Sequence, residues 1–142
     1  MNMEPNPPLE TNFAAIVVAV IYDPAKKKIL IGKRENDPNL PNLSWCFPGG
    51  RLNPGEEIDK KLKKQVKDKT GYDIKNLGTI FSNINNEKED LLQIFFLTEV
   101  FTGKEKPAGG LTELKWVDPE ELEEYFGKPF NSRLKEYLIN LK

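Results

Sequence analysis

The chain has no histidine. A histidine general base, a Ser-His-Asp or Cys-His nucleophile and a histidine-ligated zinc site are therefore all excluded. It has one cysteine, Cys46, which rules out an internal disulfide and suits a reducing compartment. Set between Trp45 and Phe47, that cysteine reads as a small buried hydrophobe. Long apolar runs are missing too. The longest, Ala14 to Tyr22, is too short to cross a bilayer, and the first residues lack the positive-then-apolar order of a leader. Charge of one sign is also lacking: 21 basic residues face 22 acidic ones, so no overall field favours nucleic acid or a membrane surface. The expectation is a cytoplasmic protein with no membrane partner, whose chemistry rests on carboxylates, lysines, hydroxyls or a hard metal ion.

What is present fits one domain, since 142 residues can bury a sizeable core. Residues 1–12 are polar and proline-rich without periodicity, which predicts a flexible arm ahead of a single domain over 13–142. "FAAIVVAVIY", Phe13 to Tyr22, is a β-branched run of strand length, as a strand buried on both faces needs. "ILIGKR", Ile29 to Arg34, reads as its hairpin partner, and "ENDPNLPNL" as a polar loop fit to line a cleft. "SWCFPGG" predicts a short strand ended by Pro48 and two glycines, with "RLNPG" keeping the chain irregular after it. Strand-like segments follow at roughly 74–82, 91–101 and 111–117. The chain closes in two helical segments, "PEELEEYF" and "NSRLKEYLINLK", the latter with Leu134, Tyr137, Leu138 and Leu141 on one stripe. Strands, a central helix, strands and terminal helices predict an α/β sandwich around a mixed sheet.

The central helix carries the chemistry. Glu56 and Glu57 put negative charge at its start, Ile58, Leu62 and Val66 recur every four residues, and Gly71 supplies the stop. At about 100° per residue from Ile58, Gln65 falls near −20° and Lys69 near 20°, inside the apolar stripe, with Asp68 at its flank near −80°. Two polar residues one turn apart in such a stripe point either to a wet cleft or to a frayed, solvated last turn. Residues 59 to 69 also hold six lysines against Asp59 and Asp68. With no aromatics among them, that run reads as a solvated face rather than a nucleic-acid interface.

From Gly50 onward the sequence resembles the Nudix box: Gly, five residues, Glu, seven residues, Arg-Glu, an aliphatic, any residue, Glu-Glu, any residue, Gly, an aliphatic. Gly50, Glu56, Val66 and Gly71 stand at matching positions, and "WCFPGG" before the box and "LTELKWVDPEEL" after it agree. The resemblance implies an α/β/α sandwich around a mixed sheet. It also implies a pyrophosphohydrolase acting on a nucleoside diphosphate linked to X, with Mg²⁺ or Mn²⁺ as cofactor and water as nucleophile. Carried over by position, the catalytic candidates are Glu56, Lys64, Gln65 and Asp68. The metal ligands become the Gly49 carbonyl, Glu56 and Asp68. Arg51, Lys69, Arg34 and Trp45 are the candidates for holding substrate, Trp45 either stacking on a base or serving in the core. Lys64 replaces the family's Arg, Gln65 its first helical Glu, and Asp68 and Lys69 its Glu-Glu pair. Gln65 can offer a neutral oxygen but no charge, and Lys69 turns a negative ligand positive.

Three readings follow from these replacements: a binder in which Lys69 supplies a metal's charge, a weakened hydrolase, or a scaffold for a protein partner. The hydrolase would draw another carboxylate from Glu57, Glu87, Glu89, Asp90 or Glu113. A homodimer stays open. The proline or tyrosine that marks some Nudix subgroups beyond the box is absent from "NNEKED", so the resemblance leaves the nucleotide derivative unspecified.

Overall fold

The computed structural model describes residues 13–35, 44–85 and 90–141. The expected arm over 1–12, most of the polar loop after Arg34, and Glu87 and Glu89 lie outside the described residues. Seven strands run as β1 Phe13–Asp23, β2 Lys28–Arg34, β3 Trp45–Cys46, β4 Gly49–Leu52, β5 Tyr72–Asn85, β6 Asp90–Gly103 and β7 Leu111–Val117. The helices are α1 Ile58–Thr70, α2 Leu122–Phe126 and α3 Ser132–Ile139. The main path of the sheet is β3-β2-β1-β6-β5, with β7 paired to β2 and β4 to β1. It is mixed, because β1 runs parallel to β6 and antiparallel to β2 and β4.

The continuous apolar run of β1 is explained by cover on both faces. Val17, Ala19 and Ile21 face α1, meeting Leu62, Val66, Ile74 and Phe96 in one core layer. Val18, Val20 and Tyr22 face the other way, into a layer closed by Leu122, Phe126, Leu134 and Leu138 of α2 and α3. The sequence becomes an α/β sandwich because each helix buries one face against the sheet while the central strands bury two, β2 sending Ile29 and Ile31 into one layer and Leu30 into the other as β1 does. Among the described residues, no helix is long and apolar enough to cross a membrane.

Four expectations are corrected. Arg51 and Leu52 are not irregular but continue β4, pairing with Ile16 and Ala15. The bare Cα of Gly49 permits this, since a Cβ there would collide with the Val17 carbonyl oxygen. Ile58 is not buried with the α1 stripe; the buried positions are Leu62, Val66 and Thr70. Thr70 joins the core because its hydroxyl donates to the Val66 carbonyl at 2.7 Å and accepts the Tyr72 N–H at 3.2 Å. Tyr137 is exposed, leaving Leu134 and Leu138 as the buried seam of α3. The segment predicted to start a helix at Pro119 opens with a 3₁₀ turn, capped by Asp118 and Glu121, before α2.

The fold opens a cleft where two strands change partners. β1 pairs with β2 at Ile21–Asp23 but with β4 at Ala15–Val18, and β2 leaves β1 to pair with β3 at Gly32 and Lys33. Between these ladders the Ala19 N–H donates to the Pro48 carbonyl at 2.8 Å.

Candidate functional site

Moving the stripe's centre from Ile58 toward Val66 changes what Gln65 and Lys69 do. On the same wheel Leu62, Val66 and Thr70 centre near 80°, so Gln65 and Lys69 sit on the shoulder of the buried face. That shoulder meets β4. The Gln65 amide lies against Gly50 so closely that a Cβ there would sit 2.5 Å from it. The Lys69 ammonium donates to the Gly49 carbonyl.

Lys69 is held there by a loop. Ala108 donates its N–H to the Lys69 carbonyl at 3.1 Å, and Lys106 donates to Thr70 at 2.8 Å. The Lys69 stem passes so near Gly109 that a Cβ there would lie 3.0 Å from Lys69 Cγ, and Gly109 has a positive φ of 58°. Burial pulls the Lys69 pKa below the usual lysine value; Arg34 and Lys61 push the same way, while Cys46 and Asp68 oppose them.

The other residues marked by the resemblance are placed differently. Glu56 accepts the Asn53 N–H at 2.6 Å and pairs with Lys61 at 3.2 Å. The Asn53 hydrogen bond is the main cause holding its carboxyl below the ordinary range. Asp68 is exposed and pairs with Lys64 at 2.8 Å, so it does not join Gln65 and Lys69 in one site. Asp68 in turn raises the Lys64 pKa. Of the reserve carboxylates, Glu57 pairs with Lys60 at 3.7 Å, and Glu113 is exposed on β7. Asp90 opens β6, and its side chain lies outside what is described.

These donors do not suit a hard divalent ion, which needs several converging oxygens. Each implied protein ligand already contacts a lysine: Gly49 meets Lys69, Glu56 meets Lys61, and Asp68 meets Lys64. Among the described residues no three carboxylates or thiols cluster as a metal would require.

Two recesses with wall residues in common occupy the cleft. The first, about 600 Å³, is lined by Arg34, Glu35, Pro48, Gly49, Gly50, Arg51, Lys69 and the glycines at 109 and 110. It therefore brings together three of the four substrate candidates. The fourth, Trp45, lines the second recess, about 400 Å³, and packs edge-to-face on Tyr125 at 5.5 Å. Ile16, Val18, Arg34 and Cys46 belong to both walls. Burial raises the Cys46 pKa, against the pull of Arg34 and Lys69.

Sequence reasoning missed the second recess. Its walls are Phe47, Phe81, Phe95, Phe126 and Phe130, with Asn83, Gln93 and Asn131 as polar members. Asn83 and Gln93 oppose each other across β5 and β6, and the buried Asn83 amide oxygen has no hydrogen-bond partner among the described residues. The available signal was the pair of phenylalanines in "EYFGKPF", Phe126 and Phe130, of which the second falls between the two helical segments read there.

A family model for the NUDIX domain matches residues 12–138. The chain belongs to the NUDIX family. A Bacillus subtilis protein provisionally named an 8-oxo-dGTP diphosphatase is 31% identical over 98 residues, 68% of this chain and 61% of its own length. The ADP-ribose pyrophosphatase of Methanocaldococcus jannaschii is 28% identical over 100 residues, 67% of this chain and 57% of its own. The chain thus spans less than two thirds of these relatives. The crystal structure of the MutT protein of Methanosarcina mazei superposes with a TM-score of 0.73 at 21% identity, covering 92% of this chain and 93% of that one. The shared architecture is the NUDIX mixed sheet with flanking helices.

Proposed function

We propose that this NUDIX chain binds a nucleoside diphosphate linked to X across the two recesses, and that it cleaves the pyrophosphate slowly or not at all. The observation carrying this reading is the meeting of a glycine-lined cationic recess with an aromatic one through a shared wall. The first suits linked phosphates, because glycines allow close backbone approach and Arg34, Arg51 and Lys69 oppose their charge. The second suits a nucleoside, with apolar rings for a base and Asn83, Gln93 and Asn131 for its polar edge. The names of the two relatives share a nucleotide carrying linked phosphates, which supports the same ligand class. Weak cleavage follows from Gln65 and Lys69 standing where the box has glutamates, since neither supplies anionic charge. Within this reading the setting is cytoplasmic, in keeping with one cysteine and no disulfide.

The test is a panel of nucleoside triphosphates, nucleotide sugars and ADP-ribose, assayed for binding and for turnover with Mg²⁺ and Mn²⁺. Binding of at least one member with turnover well below about 1 s⁻¹ is expected. Turnover at ordinary enzyme rates overturns the weak-cleavage half, and no binding across the panel overturns the ligand class.

A further inference from the structure

The six lysines of α1 are not equivalent. Five pair with carboxylates: Lys60 with Glu57, Lys61 with Glu56, Lys63 with Asp59, Lys64 with Asp68 and Lys67 with Asp73. Lys69 alone among them, within the described residues, has no acidic partner; it donates to the neutral Gly49 carbonyl. An ammonium has three N–H donors, so two remain for a ligand in the recess that Lys69 lines. Among the described residues, the recess wall carries Arg34, Arg51 and Lys69 together with the acid Glu35. An unneutralised cation, half-buried and fixed by a packed loop, is built to meet an anion rather than to decorate a surface.

We propose that Lys69 is a resident cation: it occupies the carbonyl that the family resemblance gives to a divalent ion and binds the ligand's pyrophosphate directly, making binding independent of metal. This deepens the nucleotide reading above and rests on it for the identity of X-linked ligands, though not for the pyrophosphate group itself. Three observations support it. The carbonyl of Gly49 is already bonded to Lys69, the stem of Lys69 is confined between α1 and Gly109, and the neighbouring acids Glu56 and Asp68 are bound to other lysines. A metal entering this site would have to displace a tethered cation and break two ion pairs. An anion has only to replace water.

The probe is inorganic pyrophosphate, titrated calorimetrically into the protein in EDTA and again in Mg²⁺. Wild type is expected to bind it in EDTA, with Mg²⁺ giving no gain. Lys69→Met, which keeps the stem's packing, should weaken binding by about tenfold or more, and Lys69→Arg should stay within about threefold of wild type. Thermal melts of both variants establish that each is folded, and the arginine variant separates lost charge from lost structure. Binding that requires Mg²⁺, no binding by wild type, or equal affinity in Lys69→Met overturns the inference. A parallel titration of nucleoside diphosphates separates the two claims. If they bind no tighter than pyrophosphate, the nucleotide reading fails while the resident lysine stands.

Discussion

Restoring the box charge at two positions should strengthen divalent-metal binding beside the Gly49 carbonyl. The perturbation is Gln65→Glu with Lys69→Glu. At about 4 Å and an effective dielectric near 20, one unit-charge pair is worth roughly 4 kcal/mol, and a divalent ion doubles it. Lys69→Glu alone reverses two charges beside the Gly49 carbonyl, roughly 16 kcal/mol before any discount. Solvent screening at a half-buried site and outward rotation of either side chain remove most of that. Keeping only about a tenth to a fifth leaves roughly 1.5–3 kcal/mol, a gain of about tenfold to a hundredfold in affinity. The Lys64–Asp68 pair offers little resistance, since its side chains are 70% and 49% exposed and such pairs contribute about 0–1 kcal/mol. Lys61–Glu56 is more sheltered, at 13% and 35%, and sets the limit on the gain. Mn²⁺ titration followed by electron paramagnetic resonance reads the result directly, without any need for turnover. Tight, micromolar Mn²⁺ binding by the unaltered protein, or a gain below about threefold in the double variant, refutes the charge reasoning.

Other consequences are more local. Gly71→Ala should destabilise by at least about 1–2 kcal/mol, because Gly71 has φ 82° and its Cβ would strike the Lys104 carbonyl; a lower urea midpoint with unchanged slope is the readout. Leu62→Ala, in a fully buried position under α1, should cost about 2–5 kcal/mol in the same assay. Glu123 has its pKa held down by Lys135, at 2.7 Å, and by the Phe130 N–H. A depressed carboxylate stabilises above its unfolded value, near 4.3, and that contribution disappears as pH falls through the folded value. Wild type should therefore exceed Glu123→Gln in stability at pH 6, with the difference shrinking as pH falls below the unfolded value and closing below the folded one; a difference independent of pH removes the ion pair as its cause. Asn83→Leu should lower affinity for nucleotides while leaving inorganic pyrophosphate binding unchanged, since Asn83 lines only the aromatic recess.

The architecture was legible because its signals are local. The β-branched run of β1, the four-residue spacing in α1, Gly71 at the helix stop and the box register each report on a few neighbouring residues. The site was legible only in part. Lys69 and Gln65 could be placed on a wheel, but the wheel was centred on Ile58, and Ile58 proved exposed because the helix begins there and the buried face rotates toward Thr70. The partners of the lysines were hidden for another reason. Lys67 reaches Asp73 beyond the helix, and Lys69 reaches Gly49 across 20 positions, so neither follows from helical spacing. The aromatic recess joins β3, β5, β6 and the segment around α2, a convergence set by the sheet order rather than by any one segment.

The pairing pattern along α1 also decides how its charge should be read. Six lysines in eleven residues suggest a basic face, yet five are matched by carboxylates within 4 Å, so their field largely cancels beyond a few ångströms. A polyanion sliding along this helix would have to compete with those carboxylates at almost every turn. The remaining positive charge is concentrated at Lys69 and faces inward, where Arg34 and Arg51 join it on a glycine-lined wall. The helix thus directs one cation to the cleft and neutralises the others on its own surface, an arrangement suited to a compact anion such as pyrophosphate and poorly suited to a nucleic-acid backbone. Oligonucleotide binding with a steep salt dependence, lost in Lys63→Ala or Lys67→Ala but retained in Lys69→Met, would contradict this division of charge.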